Sequence, residues 1–201
     1  MADHQILPIG KNESKAAGDS LAKAFFTDPL LQFLEPDESK RMRFGQWFMT
    51  RGIALGRRWG ACYTNPEATG AAVWLTPGNT TITTWRVIRV GLFMLPFKIG
   101  LSGFSRFNAL DATTAKYHRR HMPGPHWYLL MLGVTPDSQN TGIGSSLIEA
   151  GASQATEAGL PCYLETMTES NIEYYSKRNF EVVADFEIPS GPKTWAMARK
   201  P

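Results

Sequence analysis

A chain of 201 residues, 43% hydrophobic and 19% charged, carries enough apolar side chain for one sizeable core. Its formal charge of +3 is small and its basic residues are scattered, with Arg57-Arg58 and Arg119-Arg120 reading as solvated faces, which argues against nucleic acid as the main partner. The longest apolar stretch, residues 85–101, is interrupted by Arg86, Arg89, Pro96 and Lys98; it falls short of the roughly 20 apolar residues that span a bilayer, so no membrane partner is expected. Cys62 and Cys162 lie far apart and no cationic, apolar leader opens the chain, so buried thiols in a cytoplasmic protein are expected.

Residues 6–9 suit a first strand. Residues 14–26 repeat apolar positions at helical spacing through Ala17, Leu21, Ala24 and Phe25, and Asp28-Pro29 ends that helix. A second helix is expected over residues 38–55, with Phe44, Trp47, Phe48 and Leu55 on a face that reads as core. Tyr63 marks a second strand and residues 71–75 a third, joined through Asn65-Pro66-Glu67. Residues 80–121 change character, becoming rich in Phe, Leu, Met, Arg and isolated Gly, and read as an insertion of two or three short helices. Its apolar surface must be covered by the sheet, by an apolar substrate, or by a second copy in a homodimer.

His118, His121 and His126 raise a metal site, yet no cysteine lies near them and the acidic residues are remote in sequence, so no metal is expected. The run WYLLMLGV, residues 127–134, is a fourth strand buried on both faces. It leads into VTPDSQNTGIGSSL, where Pro136 breaks the strand and Gly142 and Gly144 open a small-residue helix over residues 145–158. Residues 161–166 form a fifth strand, and strand, loop, helix, strand implies two parallel neighbours. A short helix, 171–178, follows, capped by Asn171 or Ser170. A closing hairpin then has Val182, Ala184, Phe186 and Ile188 on its buried face.

Glycines at a helix start let backbone amides crowd around a phosphate. Two other readings of these glycines fail on detail. A dinucleotide fold would put a third glycine where Leu147 stands and needs a tighter turn than residues 135–141 allow, and a P-loop would need a lysine where Ser145-Ser146 stand.

Three blocks resemble the GNAT superfamily of N-acetyltransferases: VTPDSQNTGIGSSL, NIEYYSKRNF, and the hairpin after it. The resemblance implies an α/β fold with a GNAT-like mixed central sheet flanked by helices, the insertion of residues 80–121 lying between the third and fourth strands of a single domain over residues 1–201. It implies acetyl-CoA as cosubstrate and the primary amine of a small molecule as acceptor; a non-catalytic module that binds acyl-CoA as a sensor is the alternative. Asn140 and Asn179 stand where many members carry glycine, and asparagine is the residue next most tolerant of left-handed backbone.

By the same resemblance, the diphosphate would sit on Gln139, Asn140, Thr141, Gly142, Ile143, Gly144 and Ser145. Leu132, Gly133 and Val134 would part from the fifth strand to hold the pantetheine arm, and Asn171 would hydrogen-bond it, a plain helix cap being a second reading that does not exclude the first. Tyr175 would protonate the departing thiolate, with Tyr174 as its rival. Glu165 would anchor the amine or a water acting as base; a buried structural carboxylate is the competing reading, and His126 a third.

Overall fold

The computed structural model describes residues 4–201, so the first three residues of the expected domain lie outside it. Seven strands form one mixed sheet in the order β1-β2-β3-β4-β5-β7-β6. They are β1 (Leu7–Pro8), β2 (Gly60–Thr64), β3 (Gly70–Leu75), β4 (Trp127–Val134), β5 (Cys162–Thr166), β6 (Glu181–Glu187) and β7 (Lys193–Arg199). Only β4 and β5 pair in parallel; the others are antiparallel.

The period of a strand decides which residue meets which layer. On β3, Ala71 and Val73 face helices α1 (Ser14–Ala24) and α3 (Glu38–Trp59), while Ala72 and Trp74 face α6 (Ile143–Glu157). Both faces are covered, so every residue of β3 is buried and the strand is a continuous apolar run. Helix α6 can lie close because its sheet side is Gly151, Ala152 and Ala155. The aromatics Phe44 and Phe48 of α3 stack at 5.4 Å inside the core, as their spacing predicts.

One irregularity positions the site. The β3–β4 register runs from Val73↔Met131 to Trp74↔Leu129, leaving Leu130 as an extra residue in β4. Such a bulge twists its strand and ends pairing nearby. On the other side of β4, the pairing with β5 stops at Leu129↔Leu164. Beyond Leu129 the strand is therefore unpaired with β5, while Met131 to Val134 remain paired to β3.

Four local expectations are corrected. Asp28-Pro29 does not simply end a helix. Asp28 Oδ1 accepts from Leu30 N at 2.8 Å and Pro29 occupies the first turn, which starts α2 (Pro29–Leu34). The insertion holds α4 (Thr84–Arg89), a 3-10 turn at Leu92–Met94 and one long helix, α5 (Leu95–His121), broken at Gly100, where φ is 68°. Beyond that break Phe104, Phe107, Leu110 and Tyr117 supply a helical-spacing stripe that packs on the core, and this burial carries the helix past Gly103. Helix α7 (Ser170–Ser176) is preceded by Glu169, and neither Asn171 nor Ser170 caps it. On β6, a bulge at Val183 leaves Val182 exposed while Phe186 and Ile188 stay buried.

Candidate active site

The glycine loop forms the N-terminus of α6. Gly142 takes φ of 100° at the N-cap, a conformation that a side chain would strain, and Asn140 is left-handed at φ 63°. Among the described residues no carbonyl accepts from the amides of Asn140, Thr141, Gly142, Ile143 or Gly144, while Ser145 N and Ser146 N both turn back to Gly142 O. Free amides at a helix N-terminus are an anion site by charge and by geometry. The Gln139 side chain donates from Nε2 to Val134 O at 3.2 Å, and Thr141 Oγ1 donates to Ser138 O, so both tie the loop to itself.

A second glycine here answers to a neighbour. A Cβ on Gly144 would lie 2.5 Å from Tyr174 Oη, so Tyr174 packs on the loop through a position that only glycine leaves open. Arg178 stacks over the Tyr174 ring at 3.6 Å, and its guanidinium donates to Tyr174 O and to Ser145 Oγ at the start of α6.

A cleft of about 1130 Å³ opens between β4 and β5. It is lined by Leu129 to Val134 from β4, by Gln139, Asn140 and Gly142 to Ser145 from the loop, by Glu165 and Thr166 from β5, and by Asn171, Tyr174, Tyr175 and Arg178 from the α7 region. The structure thus gathers the sequence-predicted site residues into one cleft, except Thr141, which sits in the same loop just outside the lining, and the third candidate base, His126. The Asn171 side chain donates to Thr166 Oγ1 at 3.2 Å, tying α7 to the end of β5.

Glu165 lies where β5 leaves β4. Its Oε2 accepts from Tyr128 Oη at 2.6 Å, while Oε1 is buried with no protein partner. Burial pushes its carboxyl up to about 7, against the opposing pull of the Tyr128 and Tyr163 phenols. Tyr163 acts from beside the carboxyl without a well-angled bond, since its own hydroxyl is also unpartnered. A carboxyl poised near neutrality with one oxygen committed and one free can accept a proton.

Tyr175 is 7% exposed. Burial first, then Tyr174 and Asp28, push its phenol well above its ordinary value, so it stays protonated through the neutral range. Across the cleft Asp28 caps α2 with Oδ1 and accepts from Thr168 Oγ1 with Oδ2 at 3.0 Å, joining α2 to the loop after β5. Burial raises its carboxyl too.

Asp28, Tyr128 and Arg178 are not singled out by sequence. The pair Asp28-Pro29 is itself a helix-start signal, and that signal could have found the first of them. No local pattern points from Tyr128 to Glu165 or from Arg178 to Ser145, because those contacts depend on strand register and on the packing of α7.

His118 and His126 come together, Nε2 to Nε2 at 2.6 Å, with His126 Nδ1 donating to Gly124 O at 2.7 Å. That donation leaves His126 Nε2 as an acceptor, so His118 Nε2 carries the shared proton. Burial lowers His118 to about 4, and neither ring lines the cleft. His121 stacks on Tyr117 instead, and no group of three or more potential metal ligands occurs among the described residues. Cys62 and Cys162 are buried free thiols, both raised to about 12 by burial. No helix among the described residues is long and apolar enough to cross a membrane.

A sheet that parts beside a helix N-terminus with free amides offers an anion site at the mouth of an extended cleft, and comparison with known proteins places the chain in a family. The model of the acetyltransferase (GNAT) family matches residues 59–180, and the chain belongs to that family. An uncharacterized N-acetyltransferase of Schizosaccharomyces pombe is 27% identical over 190 residues, spanning 86% of this chain and 72% of that one. Among solved structures, a histone acetyltransferase HPA2 and related acetyltransferase of Corynebacterium glutamicum superposes with a TM-score of 0.74 at 20% identity, covering 99% of this chain and 97% of that one. Arylalkylamine N-acetyltransferase 2 of Aedes aegypti gives 0.65 at 14% identity over 98% of both chains. The polyamine N-acetyltransferase of Drosophila melanogaster gives 0.65 at 12% over 98% and 100%. At these identities the structural likeness is one of fold.

Proposed function

We propose that this chain works as one catalytic domain that moves an acetyl group from acetyl-CoA to the primary amine of a small molecule by direct attack on the thioester. One observation carries the reading: a buried carboxyl with a free oxygen, Glu165, stands where β4 and β5 part, in the same cleft as the free amides of the glycine loop. When bound, acetyl-CoA supplies an activated acyl carbon and a thiolate leaving group.

The residues fit that ligand. The unpaired amides from Asn140 to Gly144 suit its diphosphate, and the unpaired edge of β4 from Leu130 to Val134 suits an extended amide-bearing arm. Arg178 holds Ser145 in place and adds positive charge beside the loop. Asn171 sits on the opposite wall.

Glu165 Oε1 receives a proton from the attacking amine, directly or through one water, as the N–C bond forms. Tyr175 donates its phenolic proton to the sulfur as the C–S bond breaks, and the two groups are then restored by exchange with solvent. An amine with a pKa near roughly 8 to 10 is largely protonated at neutral pH, so a base with a carboxyl near neutrality is well placed to take the proton. His126 is set apart from this role by its bonds to His118 and Gly124.

Phe25, Leu30, Leu130, Leu132 and Met167 line the cleft, while the aromatics of α3 are committed to the core. An amine with an apolar body therefore fits best. Puromycin belongs among the acceptors to test, because LETMTESNIEYYSKRNF and FEIPSGPKTWAMARKP resemble puromycin N-acetyltransferase. Free rather than paired cysteines support the reading that it works in the cytoplasm. A thiol-release assay with acetyl-CoA and a panel of apolar and polar amines tests the reading: release with apolar primary amines supports it, and cofactor binding without release from any amine would make the chain a sensor.

A further inference from the structure

The start of the insertion carries apolar side chains that the fold does not bury. Trp85 is 62% exposed, Phe97 80% and Leu101 83%, with Ile88, Phe93 and Met94 exposed between them. Trp85 and Ile88 share a face of α4 through the i, i+3 spacing, and Phe97 and Leu101 flank the break at Gly100, both exposed. On the other side of the same segment Val90, Leu95 and Ile99 are buried, which fixes its orientation and turns the six outward. None of the six lines the cleft, so the acceptor amine does not cover them.

Charge says what does. Residues 68–110 include Arg86, Arg89, Lys98 and Arg106 and no Asp or Glu. Arg86 is held by Asn79 and Thr81 carbonyls, while Arg89 and Lys98 are exposed beside the apolar tips. A second copy docking by a twofold axis would set this cationic face against itself, which like-charge repulsion opposes. Phe97 and Leu101 are 80% and 83% exposed, and a fluid acyl boundary adapts to such exposed side chains where a protein partner would need matching pockets. Aromatic and aliphatic tips flanked by Arg and Lys, on a segment without Asp or Glu from residue 68 to 110, make the pattern of a segment lying in a lipid interface.

We propose that Trp85, Ile88, Phe93, Met94, Phe97 and Leu101, flanked by Arg89 and Lys98, dock this protein peripherally onto an anionic lipid surface. The sequence expectation of no membrane partner weighs only a spanning segment, and a peripheral contact needs none. Anionic lipids face the cytoplasm, where the apolar amine acceptors proposed above would also partition into the bilayer.

Co-sedimentation of the full chain with phosphatidylcholine vesicles, with and without phosphatidylserine, tests this. The protein pellets with phosphatidylserine vesicles, salt weakens the association, and Phe97→Ser with Leu101→Ser reduces it by about tenfold or more while leaving the thermal melt in place. Arg89→Gln with Lys98→Gln reduces it with the apolar tips intact. Equal behaviour with both vesicle types, or no effect of the apolar substitutions, overturns the proposal. So does a lipid-free dimer, seen by light scattering, that the apolar substitutions dissolve. Retention on polyglutamate beads without retention on phosphatidylserine vesicles would point to an acidic protein partner and overturn it equally.

Discussion

Tyr128 Oη donates to Glu165 Oε2 at 2.6 Å across the point where β4 and β5 separate, leaving Glu165 Oε1 buried without a protein partner beside the cleft. The bond holds down the pKa of a carboxyl that burial pushes up to about 7. Tyr128→Phe removes it, so the Glu165 carboxyl rises further. The acid limb of the pH–rate profile then moves to higher pH by about one unit, the worth of a hydrogen bond to a charged group. A change in turnover with no shift of that limb would make Tyr128 a packing residue only.

Glu165 also ties stability to pH. Its folded carboxyl lies above the ordinary value of 4.5, so the stability it contributes is complete below pH 4.5 and is lost as pH rises through about 7. The loss amounts to about 3 kcal/mol at the alkaline end. Glu165→Gln therefore unfolds at a higher temperature than the parent at pH 8 and lacks this slope, while its turnover falls by about a hundredfold or more. Chemical denaturation across the pH range measures the first effect and the thiol-release assay the second.

Tyr175→Phe keeps the ring in its pocket against Phe180, 5.8 Å between centroids, and removes the proton donor. Turnover falls by about a hundredfold and cofactor affinity by calorimetry changes little. Unchanged turnover would take Tyr175 out of the reaction and leave it as core.

Gly142→Ala places a Cβ on backbone held at φ 100°. The loop either strains, costing about 1 kcal/mol or more, or shifts its amides; in both cases acetyl-CoA binds more weakly. Arg178→Gln gives a second route to the same outcome by freeing Ser145 from Tyr174. Isothermal titration with acetyl-CoA distinguishes both from Tyr175→Phe, whose binding is retained.

Much of the fold and of the cleft is legible in the amino-acid sequence. The continuous apolar runs of residues 71–75 and 127–134 mark strands, and the glycine loop before a small-residue helix marks the parallel crossover, because these are local patterns of length and turn. Strand β3 is buried on both faces as expected, whereas β4 is fully buried only at alternate residues, its other face opening toward the cleft. Asn140 and Asn179 adopt φ of 63° and 65°, the left-handed backbone for which asparagine is suited. The Leu130 bulge is not legible, since nothing in WYLLMLGV says which residue the partner strand skips. The long helix α5 hides behind two glycines: Gly100 does break it, while the helix-breaking tendency of Gly103 is overridden by a face buried on a distant core. Tyr128 and Arg178 belong to the same class, as does the Asp28–Thr168 bond: these roles come from elements brought together only in three dimensions, whereas the Asp28 cap is a local signal.

The most direct measurement of the central claim is release of free thiol from acetyl-CoA by the purified chain across a panel of primary amines, followed by mass of the product. We expect stoichiometric thiol release and an acetylated amine with at least one apolar primary amine, abolished together by Glu165→Gln and Tyr175→Phe. Calorimetric binding of acetyl-CoA with no thiol release from any amine, or release unaffected by both substitutions, would contradict it.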